Sequence, residues 1–406
     1  MSGKISGYKK KLIRQLYFNR ALSCAHLSAA IKKSLPLTTR ILNELIADGS
    51  VMEVGHAVST GGRRPLVYSL KQDIQFIVSV AMDQYITRIA LMDMGNNFIT
   101  EIEKFELKLP GNPRALAELT THIDAFILRS GIAKEKIAGI GIGAPGFVDF
   151  KKGVNYSFLS NGLQSITEHI TRQTGIASYI DNDSSLIALA ELHFGAARRR
   201  KNAMVVNLSW GVGLGMILNG ELYRGHNGFA GEFSHIPIFS NGKLCSCGKS
   251  GCLETETSLL VIIEKAKEKL KNGQLSILTT EQLENYEVAW EKIIHALSVG
   301  DRFAVELFSE VGYNIGRGVA ILIHVLNPEV IVLSGRGSAA GRIWHAPVQQ
   351  ALNEHCIPRM ADNSSIETST FGYDAELIGA ASLVMENYDK DLKPAGSKGD
   401  TRIRIK

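Results

Sequence analysis

Between Gly231 and Glu254 the chain reads GEFSHIPIFSNGKLCSCGKSGCLE, and no other stretch restricts its folding as tightly. Three of the chain's five cysteines, Cys245, Cys247 and Cys252, fall within eight residues, and His235 lies ten residues upstream of the first. Thiolate and imidazole are the donors a tetrahedral zinc prefers, and three cysteines with one histidine complete a closed structural site. Gly248 and Gly251 let the chain wrap tightly enough for the sulfurs to converge. The competing reading is three unpaired core cysteines beside an unrelated histidine. A polar, glycine-rich CxCGxxGC makes a poor core segment, so the spacing predicts structural zinc.

At 406 residues the chain exceeds one ordinary domain. Its apolar fraction of 45% and charged fraction of 21% are those of a soluble globular protein. No run approaches the ~20 apolar residues of a membrane span, and the basic start MSGKISGYKKKLIRQLYF lacks an apolar signal core. A cytoplasmic location without membrane attachment is expected. Thiols stay reduced there, so clustered cysteines mean metal rather than disulfides. Cys24 and Cys356 stand alone and read as buried thiols.

Charge is unevenly placed. Residues 1–72 carry 12 Lys and Arg against 3 Asp and Glu, a net +9, while the remaining 334 carry 33 against 37, a net −4. A basic head on a slightly acidic body fits a nucleic-acid-binding module fused to something else; a solvated basic face is the bland alternative.

Within the head, Tyr8 to Phe18 reads as a helix with Leu12, Ile13 and Leu16 on its apolar face. Ser23 caps a short helix carrying Leu27, and Ser34 caps a third that runs to about Asp48. Ile41, Leu42, Leu45 and Ile46 recur at helical spacing on that third helix, which leaves Thr38, Thr39, Arg40 and Asn43 facing outward. Two strands follow, the second entered through Gly61, Gly62, Arg63 and Arg64. This order is that of a winged helix-turn-helix. The third helix would enter the major groove, with its polar residues near base edges or phosphates. The glycines would let the wing approach DNA, where the two arginines suit phosphates or a narrow minor groove. A protein-interaction module is the other reading of a small helical head.

Residues 73–390 alternate strands and helices, with glycine-rich turns after several strands: GIGAPGFVD (Gly141 to Asp149), SWGVGLGMILNG (Ser209 to Gly220) and SGRG (Ser334 to Gly337). A helix is expected from the acidic start DND at Asp181. Strands ending in such turns describe α/β lobes with ligand loops at strand ends, and two sets of them fit two lobes around a cleft. Residues 391–406 read as a disordered basic tail.

Taken together and in this order, GIGAPG, the DND helix start, GVGLG and GEFSH…CSCGKSGCLE resemble the ROK family, named for repressors, open reading frames and sugar kinases. The resemblance runs from the head to about Asn387. It implies the two-lobed actin-like sugar-kinase (ribonuclease H-like) fold and a homodimer or tetramer. The head resembles the branch with the N-acetylglucosamine and xylose repressors. Asp183 matches the aspartate that serves kinases as base on a sugar hydroxyl. Asn161, in SNGLQ, matches the sugar-binding asparagine, with Asn182 beside the base. Glu232 and His235 match the glutamate and histidine of the ExGH element, and Glu254 the glutamate after the last cysteine. His235 would ligate zinc with one ring nitrogen and present the other to a sugar oxygen.

The nucleotide loops depart from the kinase pattern. Asp83-Gln84-Tyr85-Ile86-Thr87 lacks both glycines of the first phosphate loop, Trp210 stands in place of a threonine in the second, and Ser334 and Arg336 interrupt the third. Backbone must approach phosphates closely for phosphoryl transfer. The expectation is therefore a sugar-responsive repressor of carbohydrate-utilisation genes. It would bind a double-stranded operator and a monosaccharide or sugar phosphate, with kinase activity lost. The alternative is an active ATP-dependent, magnesium-using kinase of glucokinase or N-acetylhexosamine kinase type fused to a DNA-binding head. A third possibility is a regulator whose signal is a protein partner.

Overall fold

The computed structural model describes residues 2–56, 64–159, 165–240 and 242–390. The chain opens with α1 (Ser2–Asn19), β1 (Ala21–Ser23), α2 (Cys24–Ile31) and α3 (Leu35–Ala47). Strands β2 (Val51–His56) and β3 (Leu66–Leu70) follow, and the sheet order is β1-β3-β2. Helices then hairpin is the winged helix-turn-helix arrangement. Ser23 caps α2 by accepting the His26 N–H. Ser34 occupies the corresponding place on α3 without a side-chain bond, and Pro36 in the first turn pre-sets the backbone instead. Leu12, Leu16, Leu27, Ile41, Leu42 and Leu45 are buried together and join the three helices.

Strands β4 (Phe76–Met82), β5 (Ile86–Asp93) and β6 (Glu103–Glu106) form an antiparallel meander. After α4 (Ala115–Ser130) comes β7 (Ile137–Ala144), then the small pair β8 (Val148–Asp149) and β9 (Val154–Asn155), α5 (Ile166–Thr174) and β10 (Ser178–Asn182). β7 and β10 add in parallel, giving the order β10-β7-β4-β5-β6. Helix α6 (Asp183–Phe194) leads into the second lobe. There β11 (Ala203–Leu208), β12 (Val212–Leu218) and β13 (Glu221–Tyr223) form another meander, followed by α7 (Glu254–Thr257), α8 (Leu259–Lys271), α9 (Tyr286–Ser298) and α10 (Arg302–Leu326). β14 (Val330–Ser334), α11 (His345–His355), α12 (Pro358–Ala361), β15 (Ser365–Thr368) and α13 (Ala375–Asn387) complete it. The second sheet, β13-β12-β11-β14-β15, repeats the first in strand order and direction. Two such lobes make the actin-like architecture. Among the described residues no helix is long and apolar enough to cross a membrane.

One expected loop is a strand. Residues 212–218 of the GVGLG segment form β12, and the turn is confined to Ser209–Gly211. Gly213 and Gly215 face α6, where a Cβ on Gly215 would meet Ala188 and one on Gly213 would meet Ser184. The glycines let helix and sheet approach, rather than admit phosphate.

Helices α6 and α13 cross between the sheets. A Cβ on Gly379 would fall on the Leu186 carbonyl, and one on Gly141 of β7 would fall on Ala380. The same layer reaches the head, because Ile77, Met92, Ala190, Ile378 and Met385 belong to one apolar cluster with Leu12, Leu16 and Tyr17.

Candidate ligand pocket and metal centre

His235 lies in a short turn, Phe233–His235, and the chain then folds back so that Pro237 bridges Cys252 and Leu244 bridges Ser250. Gly248 (φ 84°) and Gly251 (φ 76°) take the left-handed conformations this wrapping needs. One donor atom from each of His235, Cys245, Cys247 and Cys252 lies within 4.8 Å of all the others. His235 Nδ1 is 3.5 Å from Cys245 Sγ, and Cys247 Sγ is 3.6 Å from Cys252 Sγ. Three thiols and an imidazole at this spacing fit a tetrahedral, sulfur-preferring cation. The other ring nitrogen of His235 points away from the sulfurs, 3.7 Å from Glu232 Oε2.

Beyond that nitrogen opens a cavity of about 520 Å³ between the lobes, which Asn182, Asp183, Glu232, His235 and Glu254 all line. Asn182 caps α6, accepting from the Ser184 and Ser185 N–H groups at 2.9 and 3.3 Å, and donates to the Gly146 carbonyl at 3.1 Å. Its amide is thus engaged in tying β7 to the helix start. Asp183 accepts from Asn207 Nδ2 at 3.3 Å. Burial raises its pKa to about 6, and the charge of Glu232 adds to this. Glu232 is raised by burial too, with His235 opposing and Glu254 reinforcing. Glu254 accepts the Val212 N–H at 3.1 Å, so one of its oxygens anchors β12. Asn161 lies outside the described residues.

Beside Asp83 and Trp210, which also line the cavity, an arginine-rich stack joins the two lobes. Arg336, 5% exposed, pairs with Glu287 at 2.7 Å and approaches Asp83 at 3.6 Å. Its guanidinium lies 4.3 Å from the Trp210 ring centre and 3.8 Å from that of Tyr373. Arg88, buried in β5, stacks on Tyr373 at 3.3 Å and pairs with Asp374 at 3.1 Å. Asp83 also accepts the Tyr85 and Ile86 N–H groups, closing its own turn. Sequence reasoning found Trp210 and Arg336 but missed Arg88, Glu287 and Tyr373.

Glu376 of α13 sits under this stack, accepting the Met82 N–H at 3.2 Å. Burial lifts its pKa to about 8, with the charge of Asp183 adding and Arg88 opposing. A carboxyl whose folded pKa exceeds its ordinary 4.5 stabilises the fold fully below that value, and the contribution is lost as pH rises through about 8. Glu376→Gln keeps the acceptor and removes the titration. Thermal melts of this variant are expected to fall less between pH 5 and 8.5 than those of the parent, by roughly 2 °C or more. Superimposable curves would assign the pH response to another group.

In the head, Thr39, Arg40 and Asn43 are exposed along α3, with Arg40 3.3 Å from Glu44. Thr38 is not outward-facing. It is fully buried, its hydroxyl donating to the Ser34 carbonyl at 3.1 Å, because position 38 shares a helix face with Ile41, Leu42 and Leu45. Arg64 is exposed; Gly61, Gly62 and Arg63 lie outside the described residues. Cys356 is buried, whereas Cys24 is only partly so, 3.3 Å from Thr39 Oγ1.

The model of the ROK family matches residues 88–387. A glucokinase of Halalkalibacterium halodurans is 31% identical over 291 residues, 70% of this chain and 88% of its own. A xylose repressor of Caldicellulosiruptor bescii is 26% identical over 396 residues, 93% of this chain and 95% of its own. The crystal structure of a ROK family transcriptional regulator, a homologue of the E. coli MLC protein, superposes with a TM-score of 0.75 at 25% identity. It covers 94% of this chain and 97% of that one. Similarity to the regulators thus extends through the head.

Proposed function

The chain belongs to the ROK family, and we propose that it is a sugar-responsive transcriptional repressor that has given up phosphoryl transfer. Residues 1–72 are the DNA-binding head, 73–390 the sensor and 391–406 a basic tail. Helix α6 carries the reading. Its first residue, Asp183, lines the pocket, and its last two meet the head, roughly 18 Å away at 1.5 Å per residue. His193 stacks on Phe18 with ring centres 3.9 Å apart, and Phe194 meets Tyr17 edge-on at 5.7 Å. Tyr17 also donates to Asn96 Oδ1 at 2.7 Å, so α1 is fixed to the body where α6 ends. A ligand that binds one cleft geometry more tightly than another would shift α6, and with it the head.

The pocket chemistry favours an uncharged sugar over a sugar phosphate. Four carboxylates line it, those of Asp83, Asp183, Glu232 and Glu254, and no Lys or Arg does so among the described residues. The segment Ser160–Gln164 adds no charge. Arg336 is already shared between Asp83 and Glu287, so a phosphate among Asp183, Glu232 and Glu254 would meet like charge. Carboxylates, in contrast, accept hydrogen bonds from several hydroxyls.

Zinc is the cation that the His235, Cys245, Cys247 and Cys252 set suits, and its part is to brace the segment bearing Glu232 and Glu254. Thr39, Arg40 and Asn43 would face the major groove, with Gly61, Gly62, Arg63 and Arg64 as the wing. A homodimer, or a tetramer built from it, would place two heads on a pseudo-palindromic operator in the cytoplasm.

DNA selected from a random-sequence library is expected to bind the protein and to be released by one neutral sugar of a panel. Arg40→Ala with Asn43→Ala should weaken that binding roughly tenfold or more. Sugar-dependent ADP release from ATP that vanishes in Asp183→Asn, without any selected DNA, would instead favour the kinase.

A further inference from the structure

Two aromatic rings, Phe147 and Phe229, line the pocket and a third, Tyr156, packs against Phe229, all three outside every apolar core cluster of the described residues. Phe147, at the turn after β7, is 44% exposed, and Tyr156, after β9, is 42% exposed. Phe229 comes from the other lobe, in the loop after β13. Its ring centre is 5.4 Å from Phe147 and 6.0 Å from Tyr156, at interplanar angles of 71° and 84°. Phe147 and Phe229 line the same cavity as Asp183 and Glu232.

The rings are held rather than loose. The Phe147 N–H donates to Ser157 Oγ at 2.9 Å, and the Tyr156 N–H to the Phe147 carbonyl at 2.8 Å. Gly146 (φ 84°) and Gly228 (φ 95°), each immediately before one of the phenylalanines, take the left-handed conformations these turns need. The bond from Asn182 to the Gly146 carbonyl places the aromatic mouth directly beside the carboxylates. The cavity therefore has two chemistries in sequence. Its inner end offers charged acceptors for hydroxyls, and its outer end offers flat apolar faces that a core would otherwise bury.

We propose that the pocket binds an uncharged sugar carrying a second ring, with the first ring among Asp183, Glu232 and Glu254 and the second against Phe147 and Phe229. Pyranose rings present one face of C–H groups, and an aryl group presents a wholly apolar one, so either suits an aromatic platform. The inference rests on the sugar-sensor reading and specifies its ligand as a disaccharide or an aryl glycoside. Because Phe147 and Tyr156 belong to one lobe and Phe229 to the other, the second ring would also span the cleft.

Calorimetric titration of the full-length protein with matched probes tests this: glucose against cellobiose and phenyl β-glucoside, N-acetylglucosamine against chitobiose, xylose against xylobiose. In the pair that binds, the two-ring member is expected to bind at least about tenfold more tightly. Preference for cellobiose over the phenyl glucoside assigns the second ring to a sugar, and the reverse to an aryl group. Phe147→Ala and Phe229→Ala should each abolish the gain and leave the one-ring affinity within about twofold, which also certifies folding; Phe229→Tyr should retain it. Equal affinity for both members, or equal loss for both in the variants, overturns the second subsite while leaving the sensor intact. Failure of every neutral sugar to bind overturns the sensor reading itself.

Discussion

Cys252→Ser, or exhaustive chelation, is expected to weaken sugar binding by roughly ten- to a hundredfold or more while leaving DNA binding without ligand nearly unchanged. Cys252 is fully buried, with its sulfur 3.6 Å from Cys247 Sγ and 3.4 Å from the His235 carbonyl. Glu232 lies three residues before His235, and Glu254 two residues after Cys252, so both pocket carboxylates flank the ligand set directly. Among its described residues the segment is held by two isolated bridges, a three-residue turn and local backbone bonds such as Gly251 N–H to the Lys243 carbonyl, most of them within the metal loop itself. Opening the metal loop removes the constraint that keeps the two carboxylates facing the cleft. The head's apolar core, from Leu12 to Leu45, is continuous with Ile77, Met92 and Ile378 of the body but includes no residue of this segment. Metal content, calorimetry with sugar and anisotropy with DNA would be measured on the same preparation. Unaltered sugar affinity in a metal-free protein would separate the cluster from the pocket.

The metal set was legible because its four ligands fall within eighteen residues, and local spacing is what a sequence displays best. The lobes were legible from strands that end in glycine turns, which is how ligand loops are built on α/β sheets. Two readings failed for reasons that are physical. In GVGLG the glycines replace the side chains that would have displayed a period of two, so a strand pressed against α6 looked like a loop. Thr38 was placed on the outer face of α3 because it is polar. Yet 38, 41, 42 and 45 form one helical stripe, and a hydroxyl bonded to the preceding turn can be buried without penalty. Glu287 and Tyr373 had no local signature, since they and Arg88 join the Arg336 stack from three distant parts of the chain. Arg88 alone left a trace, as a charge in the middle of the largely apolar strand ITRIALMD.

That stack supplies the second large effect. Arg336→Ala is expected to destabilise the protein by on the order of 3 kcal/mol and still not admit ATP. Removing the guanidinium leaves Asp83 and Glu287 turned toward one another with no cation between them, although Glu287, with 31% of its side chain exposed, keeps some access to water. It also removes a planar group from between Trp210 and Tyr373, contacts that a lysine could not reproduce. Arg336→Lys should therefore lose an intermediate amount. Arg336→Ala combined with Glu287→Ala should recover part of the loss, because the second change removes one of the stranded charges. Denaturant melts of the four proteins measure this, and a loss below about 1 kcal/mol for Arg336→Ala would mean that the ion pairs carry little. Nucleotide would remain excluded because Trp210 still stands at the turn before β12 and Arg88 still stacks on Tyr373. Arg336 and its partners form a buried contact between the lobes. Asp83 and Arg88 come from the first, Glu287, Arg336 and Tyr373 from the second, and a sensor can use such a contact to hold one cleft geometry until a ligand favours another.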